Sequence, residues 1–417
     1  MTSAPLITET TGGYCVSWAD SQIDAHVRRV RVTSDGGVKG ELEIIHHNKR
    51  GDVCLLPASQ FNFSSETTRR NFAKQLKEKI SLSVEWKEIF DFLAVRIQEL
   101  ARAGDGYVEV LLEDDVPPPE RLLGSIIYKG VQNLIFGDKG VAKSTLAYLF
   151  AICVGLPWSD NPFGFEVPAL PVATLVLDWE TDESIFRYYL SRLKRGMALP
   201  QCPIYYRRCT LPLRDDIETI ERQMAAVNAK LLIIDSLGAA AGGEHGELKG
   251  SEAALLFNAA LRKLKTTALI VGQTAKGESE QGKRKTVYGS TYFTYYARNI
   301  FELCRGEDDY SDTLHLAMFH RESNLGKRLS PMGFCLQFND STGAIIVERE
   351  PVSVSEFSQK LNTQARILEA LKSGAVEIKE LAASLEVPQN NCRVAISRLA
   401  RQGKVVKVGK AWGLAAL

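Results

Sequence analysis

No stretch of this sequence approaches the roughly 20 consecutive apolar residues that a helix needs to cross a bilayer, so a membrane-spanning helix is not expected. Charge of one sign is missing too: 51 Lys and Arg face 50 Asp and Glu, a formal net charge of +1. That balance excludes a globally polyanion-seeking protein, and any basic surface must be local. The eight cysteines, at positions 15, 54, 153, 202, 209, 304, 335 and 392, never fall in a Cys-x-x-Cys pair. Most sit in apolar runs such as Ala151-Ile-Cys-Val154. They are expected to be reduced core residues of a cytoplasmic protein, not disulfides or metal ligands. The first residues, Met1 to Glu9, lack the charged and apolar regions of a secretory signal. What remains is ordinary for a soluble chain, 45% hydrophobic and 24% charged, and 417 residues suit two or three domains.

The most specific stretch runs from Leu134 to Leu146. An apolar run ends at Gly137. Asp138, Lys139, Gly140, Val141 and Ala142 form a loop, and Lys143, Ser144 and Thr145 open an apolar helical pattern. Strand, small-residue loop and helix, with Lys-Ser at the junction, is the phosphate-loop arrangement, with Ala142 where the pattern has glycine. Small residues let backbone N–H groups face a phosphate at the helix N-terminus. Lys143 can reach the β- and γ-phosphates of ATP, and the Ser144 hydroxyl can hold Mg2+.

Downstream, apolar strands alternate with amphipathic helices, which implies an α/β fold with a mostly parallel sheet. Val172 to Glu180 is an apolar run ending in acids. Lys230 to Asp235 is an aliphatic run up to a terminal aspartate, and Thr267 to Gln273 is a third such run. An aspartate at the end of an aliphatic strand can meet Mg2+ beside the nucleotide, so Ser144 and Asp235 are the expected metal ligands. Gly137, Glu180, Asp235 and Gln273 all fall at carboxyl ends of strands, where such sheets bind ligands. Four further strands, Arg298 to Cys304, Thr313 to Phe319, Gly333 to Phe338 and Ala344 to Val347, are expected to extend the sheet in antiparallel fashion.

Together, the segments Gly137 to Thr145, Gly155-Leu-Pro-Trp158, Val176-Leu-Asp-Trp-Glu-Thr181, Leu232-Ile-Ile-Asp-Ser236, Gly289-Ser290, Arg321-Glu-Ser-Asn-Leu-Gly326 and Gly333 to Phe338 resemble the RecA-fold P-loop ATPases. Within that fold the resemblance is to the RepA-like hexameric helicases of plasmids, phages and other mobile elements. It covers about residues 117 to 350. It implies that Glu180 orients the attacking water, that Gln273 senses the γ-phosphate, and that a neighbouring subunit supplies a basic finger, Arg321 first and Lys327 second. A finger in trans implies a homo-oligomer, a hexamer by family habit. The departures are Ala142, Thr181 where an acid is frequent, and no His at the end of the Gln273 strand. The loops over 238–250 and 275–288 take positions that face the ring channel in that family. Lys276, Lys283, Arg284 and Lys285 then either contact single-stranded DNA or belong to a plain surface loop.

On either side lie two smaller domains. Residues 1–105 read as an α+β domain of unassigned role. A hairpin is expected over Val27–Val32 and Val38–Ile45, and helices over Thr67–Lys77 and Trp86–Ala103. Arg28, Arg29 and Arg31 line either a DNA surface or a solvated strand face. His46 and His47, adjacent on a strand, face opposite ways and cannot readily share a metal. Residues 106–120 form a Pro-rich linker, 121–350 the ATPase domain and 351–362 a second linker. Residues 363–417 resemble a winged helix-turn-helix, with three helices and a two-stranded wing. Over 361–417 nine Lys and Arg stand against four Asp and Glu. Arg393, Arg398 and Arg401 share one broad face of the third helix, and Lys404, Lys407 and Lys410 line the wing, a pattern suited to duplex DNA. The leading expectation is an ATP- and Mg2+-dependent DNA helicase or translocase acting in replication or maintenance of a mobile element or phage. The alternatives are an ATP-switched DNA-binding assembly and a non-catalytic scaffold.

Overall fold

The computed structural model describes residues 4–10, 13–33, 35–80, 82–104, 106–110, 116–242, 250–274, 287–288, 291–306, 312–352, 357 and 363–415. The chain divides into two compact units. The first comprises Met1–Pro118, Leu211–Asn228 and Leu255–Thr266, and the second Pro119–Thr210, Ala229–Ala254 and Thr267–Leu417.

The first unit is built on five strands, β1 (Leu6–Thr10), β2 (Gly13–Trp18), β3 (Ile23–Val32), β4 (Val38–Asn48) and β5 (Gly51–Asn62), antiparallel and in sequence order. The expected hairpin is therefore the centre of a meander. Alternation decides its faces: Val16, Ile23, Ala25, Val27, Leu42 and Ile44 are buried, while their neighbours turn outward. The buried face packs against Leu76 of α1 (Glu66–Lys79) and Trp86, Phe90, Leu93 and Ile97 of α2 (Trp86–Ala103). The helix start is fixed by Ser65, whose hydroxyl accepts the Thr68 N–H at 3.2 Å. Two of the arginines considered for DNA are spent inside this unit. Arg28 pairs with Glu43 at 3.0 Å and Glu218 at 3.4 Å, and Arg29 pairs with Glu41 at 2.9 Å. Arg31 remains exposed.

The second unit starts with a small ladder of β6 (Arg121–Leu123) and β7 (Ile127–Tyr128). Then follow β8 (Gln132–Gly137), α3 (Lys143–Gly155), β9 (Thr174–Asp178), α4 (Glu183–Gly196) and β10 (Ile204–Arg208). After α5 (Ile217–Ala226), which belongs to the first unit, come β11 (Leu231–Asp235), α6 (Leu237–Ala241), α7 (Gly250–Lys263, counted with the first unit from Leu255 on), β12 (Thr267–Gln273) and α8 (Tyr292–Tyr296). The sheet is completed by β13 (Asn299–Arg305), β14 (Thr313–Ser323), β15 (Met332–Asn339) and β16 (Ala344–Glu350).

These strands form one sheet in the order β10-β9-β11-β12-β8-β13-β14-β15-β16. Every pair from β10 to β13 is parallel. The antiparallel extension therefore begins one strand later than expected, at β14, since β13 lies parallel to β8. The mixed α/β layout with a large parallel part fits a RecA-like P-loop core. Near-continuous burial along β8, β9, β11 and β12 matches strands covered on both faces. Helix α3 is buried almost all round, which makes it a core helix rather than a surface one.

At the end of the chain, α9 (Thr363–Ala370), α10 (Ile378–Ser384) and α11 (Gln389–Arg401) precede the hairpin β17 (Val405–Val408) and β18 (Ala411–Leu414). They share a core of Ile367, Leu371, Leu381, Cys392, Ile396, Leu399 and Val405. Val376 and Trp412 exchange backbone hydrogen bonds at 3.0 and 2.9 Å, tying the hairpin to the segment before α10.

Candidate active site

The phosphate loop links the carboxyl end of β8 to the amino end of α3. Its glycines have different jobs. A Cβ on Gly137 would stand 2.3 Å from the Leu303 carbonyl oxygen, so glycine lets β13 pass this close. Gly140 takes φ +81°, a left-handed backbone in open space. Ala142 is the residue preceding α3 and is also left-handed, at φ 55° and ψ 31°. The family's glycine at this position has a conformational reason, and alanine holds the same backbone at a steric cost.

Lys143 is 9% exposed. Its Nζ donates to the carbonyl oxygens of Gly137 at 3.0 Å and Asp138 at 2.6 Å, so the ammonium lies folded along the loop that would receive a phosphate. Burial lowers its pKa, and Asp235, Glu180 and Asp138 oppose that shift. Ser144 donates its hydroxyl hydrogen bond to the Asp235 carboxylate, which joins the two expected metal ligands. Burial pushes the Asp235 carboxyl up to about 7; Glu180 and Asp178 add to the rise, and the Ser144 bond and Lys143 oppose it. A divalent cation placed between Ser144 and Asp235 would displace that proton and hold the ionised form. The donor set, a hydroxyl beside a carboxylate, suits Mg2+, with water and phosphate oxygens to complete the shell.

Strand order explains how the other two expected residues meet. Strand β12 stands between β8 and β11, with Gln273 paired to Gly137 in register. Strand β9 flanks β11 on the far side, with Asp178 opposite Asp235. Glu180, just past β9, reaches back across the end of β11, and the Gln273 Nε2 donates to its Oε1 at 3.0 Å. Both side chains are exposed. The structure thus brings Gly137, Lys143, Ser144, Glu180, Asp235 and Gln273 to one edge of the sheet.

Sequence reasoning missed the residues that hold Glu180 in place. Asp178 is 1% exposed, and its Oδ1 accepts the backbone N–H groups of Glu180 at 2.8 Å and Thr181 at 2.9 Å. The Thr181 hydroxyl donates to its Oδ2, and Tyr206 donates to the Thr181 carbonyl at 3.0 Å. An aspartate ending a strand just before a turn was the available signal. Tyr206 had none, because only the β9–β10 register brings it near. On the loop side, the Thr274 hydroxyl donates to Asp138 at 2.5 Å.

Arg321, the first candidate for a finger in trans, lies away from its own phosphate loop. It lies near the carboxyl end of antiparallel β14, in the row of Ile300 rather than that of Gly137 and Leu303, so it is at the opposite sheet edge from its own phosphate loop. Its guanidinium binds the buried Glu302 at 2.6 Å and stacks over Phe319 at 4.6 Å. Lys327 is exposed after β14. Lys276, Lys283, Arg284 and Lys285, together with Gly289 and Ser290, lie outside the described residues. Arg393, Arg398 and Arg401 on α11 and Lys404, Lys407 and Lys410 on the hairpin are all exposed. Among the described residues no helix is long and apolar enough to cross a membrane.

Residues 101–279 match the model of an AAA domain. No curated protein matches the chain. Among solved structures, a KaiC-like protein from the hyperthermophilic archaeon Pyrococcus horikoshii is similar at 20% identity and a TM-score of 0.39, over 56% of this chain and 100% of that one. The family match falls on the segment that carries the phosphate loop, Glu180, Asp235 and Gln273, and it supports a P-loop ATPase.

Proposed function

We propose that the chain is an ATP-driven DNA motor, a helicase or translocase of the RepA-like ring type, working as a homo-oligomer with a hexamer favoured. The observation that carries the ATPase part is the contact between Gln273 and Glu180 across the end of the Asp235 strand. It supports reading Glu180 as the water-orienting carboxylate and Gln273 as the phosphate-sensing amide beside the Lys143 loop. Backbone N–H groups of residues 138–145 and Lys143 would bind the ATP phosphates. Ser144 and Asp235 would hold Mg2+, and Glu180 would orient the water for in-line attack. The bound metal supplies neutralisation of the phosphate charge. The chain's own residues supply position, and Asp178 fixes the turn from which Glu180 projects.

The DNA part rests on the basic C-terminal module. Three helices and a hairpin present Arg393, Arg398 and Lys407 outward, as a winged helix-turn-helix does on duplex DNA. The finger in trans falls to Lys327 more readily than to Arg321, since Arg321 is engaged with Glu302. The runner-up, an ATP-switched DNA-binding assembly without unwinding, shares every one of these features, and strand displacement separates the two.

Lys143→Ala is expected to lower ATP turnover at least ~10²-fold, the scale of losing one preorganised cationic donor, with an unchanged melting temperature. Steady-state phosphate release beside a thermal melt checks it. Wild-type turnover in the variant would overturn the ATPase assignment.

A further inference from the structure

We propose that Cys15, Asp24 and His26 form a Zn2+ site on the outer face of the N-terminal sheet. The register of β2 and β3 sets Cys15 opposite His26 and Ser17 opposite Asp24. Val16, Ile23, Ala25 and Val27 fill the core from one face. Cys15, Asp24 and His26 therefore leave the sheet together on the other face, each half-buried and reachable from solvent. A thiol sulfur, a carboxylate oxygen and an imidazole nitrogen lie within 4.8 Å of one another. Zinc bonds of about 2.0–2.3 Å draw three such donors together by roughly an ångström, which side-chain rotation supplies without moving the strands.

The outer support of a metal site is already assembled. His47 Nε2 lies 3.0 Å from Asp24 Oδ2, and its Nδ1 lies 2.7 Å from Asp52 Oδ1. This chain fixes one oxygen of Asp24 and leaves the other to coordinate, as partners beyond the ligands commonly do. Arg28 is the nearby cation, and its charge is engaged by Glu43 and Glu218. One soft thiolate, one imidazole and one carboxylate favour Zn2+ over Mg2+ or Ca2+, with water as the fourth ligand. A second group, His315, Cys335 and Glu350, also gathers donors within 4.8 Å. There His315 Nδ1 already sits 2.9 and 3.2 Å from the two Glu350 oxygens, so a metal must first break that pair.

The test uses the full chain, stripped by chelator and titrated with Co2+ in excess Mg2+. The expected result is a cobalt–thiolate charge-transfer band that saturates at one ion per chain and is bleached by Zn2+. Cys15→Ser abolishes it, His26→Gln and Asp24→Asn weaken binding at least 10-fold, and His47→Gln weakens it about 10- to 100-fold. Cys335→Ser leaves it intact. Circular dichroism shows that each variant is folded, and a zinc-dependent rise in melting temperature, absent from Cys15→Ser, gives a second readout. No band in the parent, a band surviving Cys15→Ser, or a band lost in folded Cys335→Ser would each overturn the proposal.

Discussion

Ala142 keeps a left-handed backbone at φ 55° without the freedom of glycine. An alanine there costs about 1–2 kcal/mol, and a glycine gives back about 0.5–1 kcal/mol through its looser unfolded chain. Ala142→Gly is therefore expected to stabilise the second unit by roughly 0.5–1 kcal/mol, seen as a small rise in the denaturant midpoint. A lower midpoint would contradict the conformational account. His47 is a residue whose charge responds near neutral pH. Hydrogen bonds to Asp52 and then Asp24 raise its pKa above the ordinary 6.5. A raised histidine stabilises the folded state fully below its unfolded pKa, and that contribution is lost as pH rises through the folded one. The first unit should lose stability as pH climbs above about 6.5, and His47→Gln should flatten that part of the curve. Melts from pH 5.5 to 8.5, with an NMR titration of the imidazole, check both.

At the scale of elements, what was legible depended on whether the signal was local. The phosphate loop, the Asp235 strand and the Trp86–Ala103 helix could be read because each declares itself within one continuous stretch of chain. The contact of Gln273 with Glu180 follows from strand order, with β12 inserted between β8 and β11, and no local pattern encodes that order. The same reason hid β1, β2 and β5, whose mixed runs become strands only by pairing into the sheet around β3 and β4. It hid the meeting of Cys15 with His26, since the β2–β3 register and not a spacing motif joins them. For Arg321, which family habit suggests as a finger, the neighbouring strand supplies Glu302 as an internal partner, a contact that no local pattern encodes either. In the C-terminal module, the exposed Arg393 and Arg398 of α11 and Lys407 of the hairpin carry the DNA expectation. Replacing a residue that contacts phosphate should lower the salt dependence of duplex binding by about 1 in log–log slope. Unchanged affinity and slope in the triple Ala variant would move this module to protein contacts.

For the whole molecule, the proposal puts the chemistry in the P-loop core and a DNA partner on the C-terminal module. The basic module at the end adds a local positive surface to a chain whose net charge is only +1. The N-terminal sheet spends Arg28 and Arg29 internally, so its outer face is poorly suited to nucleic acid through those residues. The measurement that tests the central claim is ATP hydrolysis by the purified full chain, with and without single-stranded DNA, beside its mass in solution. A ring-sized particle whose phosphate release rises severalfold on single strands is the predicted result. A monomer with no turnover, or with turnover indifferent to DNA, would contradict the motor.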